Sequence, residues 1–410
     1  MFSAAKSTST DDIFLNELSG MASSLPALVL GSGITALGVI RSLGRENIPV
    51  YYSNFKHDFA GRSRWCRLIP NSLDPFAGTG PLTDFLKGLP HERMVLFPCS
   101  DSLARAMAGL DPDIAKRFPS SLSSLENHDM LSDKERFADV LDRLGLPHPR
   151  TFLLKTREDL KSATDADFND AFLKPQRSQE FMAHFGVKAF RVKSRREALK
   201  RYDEIHKTGF SVVLQEYIPG PPARHYFIDG FVDRRGRICA RFVRQRLRME
   251  PPDFGNSSYM ITVAPEMISP AREALDRLLS TIRFRGIYSA EFKYDERDGL
   301  FKILEINSRP WWYIEFASIC GINVCKMAYD DALDQPVDPV KTYIVGRKCI
   351  YAHYDTFSCL RLFRQRRLTL FDWIKSWWGA NQPEFSWDDP MPGIQMYFTR
   401  AQRFFLRRLK

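Results

Sequence analysis

Residues 287–310, IYSAEFKY-DERDG-LFKILEINSRP, read as two strands joined by a tight turn, because β-branched and aromatic residues flank a polar cluster ending in Gly299. Glu291 lies on the first strand, Glu305 and Asn307 on the second. About that turn the two glutamates are opposite or diagonal neighbours. Either register puts them on one face, since side chains alternate with period two. Two carboxylates and an amide oxygen form an all-oxygen set of the kind that holds Mg²⁺ beside nucleotide phosphates. Arg309, two residues on, adds a fixed cationic fork for a phosphate or carboxylate. The competing reading is a surface hairpin whose charges are merely solvated.

Outward from the hairpin, 410 residues exceed what one ordinary core organises, and 44% apolar with 26% charged residues is a globular composition. No run approaches the roughly 18 apolar residues of a membrane span. Seven cysteines without a CxxC pair, and no signal-peptide pattern before residue 25, predict reduced thiols and a cytoplasmic protein. Residues 1–24 are Ser/Thr-rich and expected to form a flexible tail. From Pro26, a strand ALVL, a turn GSG, a helix and the strands IPVYYS and MVLFPCSD predict a parallel α/β domain over 25–127. Gly31 to Ala36 fits a GxGxxA dinucleotide fingerprint. The next strand, however, ends at Ser53 and Asn54 without an acid to hold a ribose. The glycines are therefore read as permitting close approach to a helix or a substrate.

A second module begins at Ser132, which forms a capping box with Glu135 for a helix over 133–144 that stops at Gly145. Lys134 in its first turn opposes the helix dipole, so it is either solvated or serves an anion. A strand AFLK ends at Lys174, and 176–187 reads as a polar loop. The apolar strand from 211 runs into Gln215, Glu216, Tyr217 and Ile218, a hinge whose backbone suits a planar heterocycle. On RICARFVRQRLRM, Arg244, Arg246 and Arg248 share one face, where they repel each other without an anion.

Net charge is +10, and 361–410 carries ten Lys or Arg against four acids. Its end reads as a basic amphipathic helix, with Phe398, Phe404, Phe405 and Leu409 against Arg400, Arg403, Arg407 and Arg408. Such a helix either packs on the body or meets an anionic membrane at its inner face. No base-reading element marks the chain as a nucleic-acid binder.

Taken in order, Lys134, Lys174, the hinge 215–220, Glu291 and the ending Glu305-Ile306-Asn307-Ser308-Arg309 resemble an ATP-grasp enzyme of the carboxylate–amine ligase type, in its D-aspartate ligase-like branch. The resemblance covers roughly 28–330. It implies a pre-ATP-grasp α/β domain (25–127) and an ATP-grasp domain over 128–335. Within the latter, 128–218 is the ATP-binding lobe and 219–335 the metal and catalytic lobe, both α+β. A basic, aromatic-rich extension (336–410) follows. By the same resemblance Lys134 and Lys174 hold phosphates of ATP, and Gln215, Glu216, Tyr217 and Ile218 frame the adenine. Glu291, Glu305 and Asn307 bind Mg²⁺ (two ions, with Mn²⁺ as a substitute), and Arg309 with Arg246 or Arg248 stabilises the transferred phosphoryl group. The implied partners are ATP, a small carboxylate and an amine, with a homodimer left open. The implied reaction runs through an acyl phosphate and needs no nucleophilic side chain. The alternative is a non-catalytic nucleotide-binding regulator or scaffold that docks through its basic tail. Two departures stand out: the loop 176–187 is not glycine-rich, which leaves closure to Lys188, and no ribose-binding acid follows the hinge, where His225 and Asp229 are poor substitutes.

Overall fold

A computed structural model describes residues 25–161, 163–176, 178–252 and 255–408. The expected N-terminal tail, and the side chains of Phe404, Phe405, Leu409, Arg403, Arg407 and Arg408, lie outside the described residues.

Three sheets build the molecule. The first holds β1 (Ala27–Gly31), β2 (Val50–Asn54), β3 (Cys66–Leu68) and β4 (Val95–Pro98) in the order β3-β2-β1-β4, every pair parallel. All of β1 is buried, as an uninterrupted apolar run requires in a sheet covered on both faces. Gly31 sits at φ +125, and a Cβ there would lie 2.7 Å from the Cβ of Cys99. Its close approach within the chain is thus to the end of the neighbouring strand rather than to a helix. The Gly33 N–H, at the start of the helix Gly33–Gly44, donates to Asp58 Oδ1 at 3.0 Å. A carboxylate of the chain itself occupies the place a dinucleotide phosphate would take.

The second sheet, β5 (Thr151–Leu154), β6 (Ala171–Pro175), β7 (Phe190–Val192) and β8 (Val212–Glu216), runs β5-β8-β6-β7 and is antiparallel. The stretch expected as a loop at 176–187 contains the helix Ser178–Phe185. Phe181 is fully buried there, with ring centroids 4.5 Å from Phe185 and 5.4 Å from Phe210. The i, i+4 spacing of Phe181 and Phe185 was the helical signal, and the polar run ahead of it, from Gln176 to Glu180, masked it.

The third sheet is the largest: β9 (His225–Val232), β10 (Ile238–Glu250), β11 (Asn256–Thr262), β12 (Gly286–Asp295), β13 (Leu300–Asn307) and β14 (Lys348–Ile350), in the order β13-β12-β9-β10-β11-β14. One face shares a core with the first sheet, where Val29 and Leu37 join Phe231, Phe242 and Trp311. The other packs the helices Lys134–Arg143 and Ser269–Thr281 through Phe137, Leu141, Leu275 and Leu278. Asp133, not Ser132, caps the helix Lys134–Arg143, accepting from the N–H groups of Glu135 and Arg136 at 2.9 and 3.1 Å. Ser132 instead ends the helix Leu125–Ser132, which also runs across the expected boundary at 127/128.

β14 joins β11, so part of the C-terminal stretch belongs to the large sheet. In the helix Met391–Arg408, Met396 is buried, Tyr397 Oη donates to Glu384, and Arg400 reaches the Tyr351 hydroxyl. Among the described residues no helix is long and apolar enough to cross a membrane. All seven cysteines are unpaired to one another, and Cys320 and Cys325 are packed in the core.

Candidate active site

The hairpin closes in the expected register. Glu291 stands directly opposite Glu305, and Ser289 opposite Asn307, with a bulge just after Glu291. Asn307 Nδ2 lies 3.5 Å from Glu305 Oε1, and Arg309 Nη2 lies 3.5 Å from Asn307 Oδ1. Because β9 separates β12 from β10, its side chains and those of β10 reach the same face. His225 Nδ1 meets Glu291 Oε1 at 2.8 Å, and Arg246 Nη2 meets the same oxygen at 3.1 Å. Ser257 Oγ accepts from Arg246 Nε at 2.8 Å and fixes the guanidinium.

Electrostatics sort these groups. Burial by itself would raise Glu291, but Arg246, His225 and Lys174 outweigh it and hold the carboxyl well below its usual range. Burial, reinforced by Arg246, pushes His225 down to about 4, so the ring is neutral at pH 7. Burial likewise lowers Lys174 and Lys188, against the pull of Glu305 and Glu291. Lys134 is lowered to about 8, by burial first and by Lys174 next. Burial disfavours the Arg309 charge too, yet Asp101 holds it on, through a bidentate contact at 2.7 and 3.0 Å. Lys134, Lys174, Lys188, Arg246 and Arg309 therefore face Glu291, Glu305 and Asp101. That excess of cations calls for an anion of several charges.

A cleft of about 750 Å³ lies here, lined by Lys134, Lys174, Gln215, Glu305, Asn307 and Asp101. Phe137, Leu141 and Ile303 supply an apolar wall of the kind that takes a flat heterocycle. The Lys134 N–H donates to Gln176 Oε1 at 3.1 Å and its Nζ lies 3.5 Å from Gln176 O, so the lysine is aimed by β6 rather than solvated.

Four of the expected site residues, Arg248, Glu216, Tyr217 and Ile218, have their side chains engaged elsewhere. Arg248 is buried against Asp355, with bonds of 2.9 and 2.6 Å, because a register shift between Arg246 and Arg248 turns it toward the helix Ala352–Arg364. Arg244 binds buried Asp229 at 2.6 Å. Arg244, Arg246 and Arg248 thus each have their own carboxylate, and the expected mutual repulsion is relieved within the chain. Glu216 is taken by Arg297 at 2.7 Å and by the Arg150 N–H at 3.2 Å. Tyr217 packs on Phe172 and under the Arg191 guanidinium, and Ile218 is buried. His225 and Asp229 are held by Glu291 and Arg244, so neither is a ribose ligand. Sequence reasoning missed the His225 contact to Glu291 and the Asp101 clamp on Arg309, which no local spacing announces.

The donor set fits a hard cation. Among the described residues no three His, Cys, Asp or Glu side chains cluster as a self-sufficient metal site. Glu291, Glu305 and Asn307 supply oxygen donors that phosphates would complete, which is how Mg²⁺ is commonly held beside a nucleotide.

No family model matches the chain. A D-aspartate ligase of Enterococcus faecium (strain Aus0004) is 21% identical over 320 residues, spanning 74% of this chain and 76% of that protein. The biotin carboxylase domain of Hydrogenobacter thermophilus 2-oxoglutarate carboxylase, solved with MgADP, ADP and bicarbonate, superposes with a TM-score of 0.61 at 18% identity, covering 78% of this chain and 72% of that one. An L-amino acid ligase from Bacillus licheniformis gives 0.57 at 16%, covering 75% and 74%. The fold is the ATP-grasp fold. Two of these relatives, the D-aspartate ligase and the L-amino acid ligase, are ligases by name. A non-catalytic nucleotide-binding role is not favoured.

Proposed function

We propose that this ligase activates a substrate carboxylate as an acyl phosphate and passes the acyl group to an amine. The reading is carried by one observation: two ionisable carboxylates directly opposed on a hairpin, ringed by more cations than they neutralise. Lys134 and Lys174 hold the phosphates, while Gln215 and the backbone at Ile218 border the base. Glu291, Glu305 and Asn307 would hold Mg²⁺ (two ions, with Mn²⁺ able to substitute), which when bound would supply neutralising charge at the phosphates. A carboxylate oxygen attacks the γ-phosphorus and ADP leaves, with Arg246 and Arg309 facing the charge on the transferring group. The amine then attacks the acyl carbon, phosphate departs, and the amine loses a proton. Positioning and electrostatics suffice, and no side chain forms a covalent bond.

D-aspartate heads the substrates to test, since the curated relative is named for it. We infer a cytoplasmic enzyme, with a homodimer as the assembly to test, since the biotin carboxylase domain was solved as a dimer; peripheral contact of the C-terminal helix with an anionic membrane is a separate expectation. The test is ADP and phosphate release from Mg²⁺-ATP with pooled carboxylates and amines. ADP release that needs both substrates, and falls about 10²–10³-fold in Glu305→Gln, supports the reading. AMP with pyrophosphate would overturn it.

A further inference from the structure

The site accounts for the large sheet and its hairpin but not for the helices Ala352–Arg364 and Leu370–Trp377. Leu370–Trp377 has no buried residue at all. It turns Trp373, Ser376 and Trp377 partly inward: Trp377 Nε1 donates to Asp355 Oδ2 at 2.7 Å, and Ser376 Oγ accepts from Arg248 at 2.8 Å. On the opposite side Phe371, Ile374 and Trp378, spaced i, i+3, i+7, are 73%, 57% and 81% exposed. The helix before it repeats the pattern. It buries Ala352, Asp355, Ser358 and Cys359, and it leaves Phe357 and Phe363 about half exposed, at 50% and 49%. Scattered apolar residues on a surface need no explanation, but two consecutive helices with aromatic outer faces do. The turn joining them carries exposed Arg364, Arg366 and Arg367, with exposed Lys375 on the following helix, against a single exposed acid, Asp372.

We propose that this helical hairpin is a docking surface for an anionic lipid bilayer, with Phe371, Ile374 and Trp378 entering the headgroup region and Arg364, Arg366, Arg367 and Lys375 meeting lipid phosphates. Aromatic residues beside arginines are the composition of an interfacial helix, and the charge is complementary to an anionic leaflet. A second copy of the chain fits poorly. A two-fold contact would set this basic patch against itself, with Asp372 the single exposed acid there to answer it. The surface is distinct from the C-terminal helix, whose Met396, Tyr397 and Arg400 are tied to the body. The proposal does not depend on the ligase chemistry, because none of these residues borders the cleft.

Flotation of the full chain with phosphatidylcholine vesicles, with and without phosphatidylglycerol, tests it. The protein floats with the anionic vesicles and is released by salt. Phe371→Ser with Trp378→Ser lowers partitioning about tenfold or more, and so does Arg366→Glu with Arg367→Glu. These positions are exposed, so circular dichroism and ADP release stay unchanged, which separates failure here from failure of the ligase reading. The proposal is overturned by a folded wild type that ignores anionic vesicles, or by binding that both double variants retain. A dimer that dissociates in Phe371→Ser with Trp378→Ser, seen by sedimentation, would give the face to a second copy instead.

Discussion

Two clusters of arginine and carboxylate lie in this molecule, and opposite forces govern them. In one, Arg41 bonds Glu315 at 3.1 Å and Asp389 at 2.9 Å, while Arg45 bonds Glu315 at 2.8 Å and Asp388 at 2.9 Å. The carbonyls of Pro383 and Asp389 take further Arg41 protons, and the Arg41 side chain has no exposure. Burial pushes the Glu315 carboxyl up, against the pull of both arginines. At Glu291 the outcome is reversed: burial works to raise the carboxyl, and Arg246, His225 and Lys174 bring it down. The first cluster is closed around Arg41 and sets two arginines against three carboxylates, each held by donors of the chain itself, so it clamps the helix Gly33–Gly44 to the segment 383–389. The second holds surplus positive charge beside an open cleft, so it is a receptor. Closure and charge balance, not the mere presence of ion pairs, separate structure from chemistry.

The sharpest way to break that contrast is to remove one partner from each cluster. Arg41→Met strands buried carboxylates and is expected to cost about 3–5 kcal/mol of stability, read by urea unfolding. The activity of each folded molecule stays unchanged, and a parallel loss of turnover would erase the distinction. A smaller effect separates two neighbours on one strand. Arg246→Met is expected to lower kcat about 10²-fold; His225 and Lys174 still face Glu291, so its cost in Tm is the smaller of the two. Arg248→Met, by contrast, leaves Asp355 buried and unpaired, so it lowers Tm and spares kcat. The reverse pattern would return Arg248 to the site and remove Arg246 from it.

That pair also shows what a sequence can tell. Glu291 and Glu305 were legible because the four-residue connection 296–299 fixes their register, and the hairpin is a local contact. The parallel first domain was legible for a similar reason, since buried strands and amphipathic helices each carry their own period. Alternation put Arg246 and Arg248 on one face, but a bulge and an aspartate 107 positions away pulled Arg248 off it. His225 reaches Glu291 across 66 positions, and Asp101 reaches Arg309 across 208. Such contacts depend on strand order, which no spacing encodes. The cap at Asp133 failed for a different reason: Ser132 and Asp133 are both good cap residues, and only the packing of the preceding helix chooses between them.

The smallest effect concerns Lys134, where the receptor reading carries a pH dependence of definite sign. Burial, then Lys174, lowers its ammonium from its usual 10.5 to about 8. A polyphosphate adds the negative charge that the protonated form favours. Nucleotide affinity is therefore full below about 8 and lost as pH rises through it, by up to about tenfold per pH unit. For the nucleotide-free fold the sign is opposite. Between about 8 and 10.5 the folded chain binds fewer protons at this site than the unfolded one, so its stability rises with pH across that window. Arginine at this position stays charged throughout, so Lys134→Arg is expected to flatten the rise in KM for ATP between pH 7 and 9. If the variant keeps the inflection, the titrating cation lies elsewhere in the cleft, and Lys174 becomes the next residue to change.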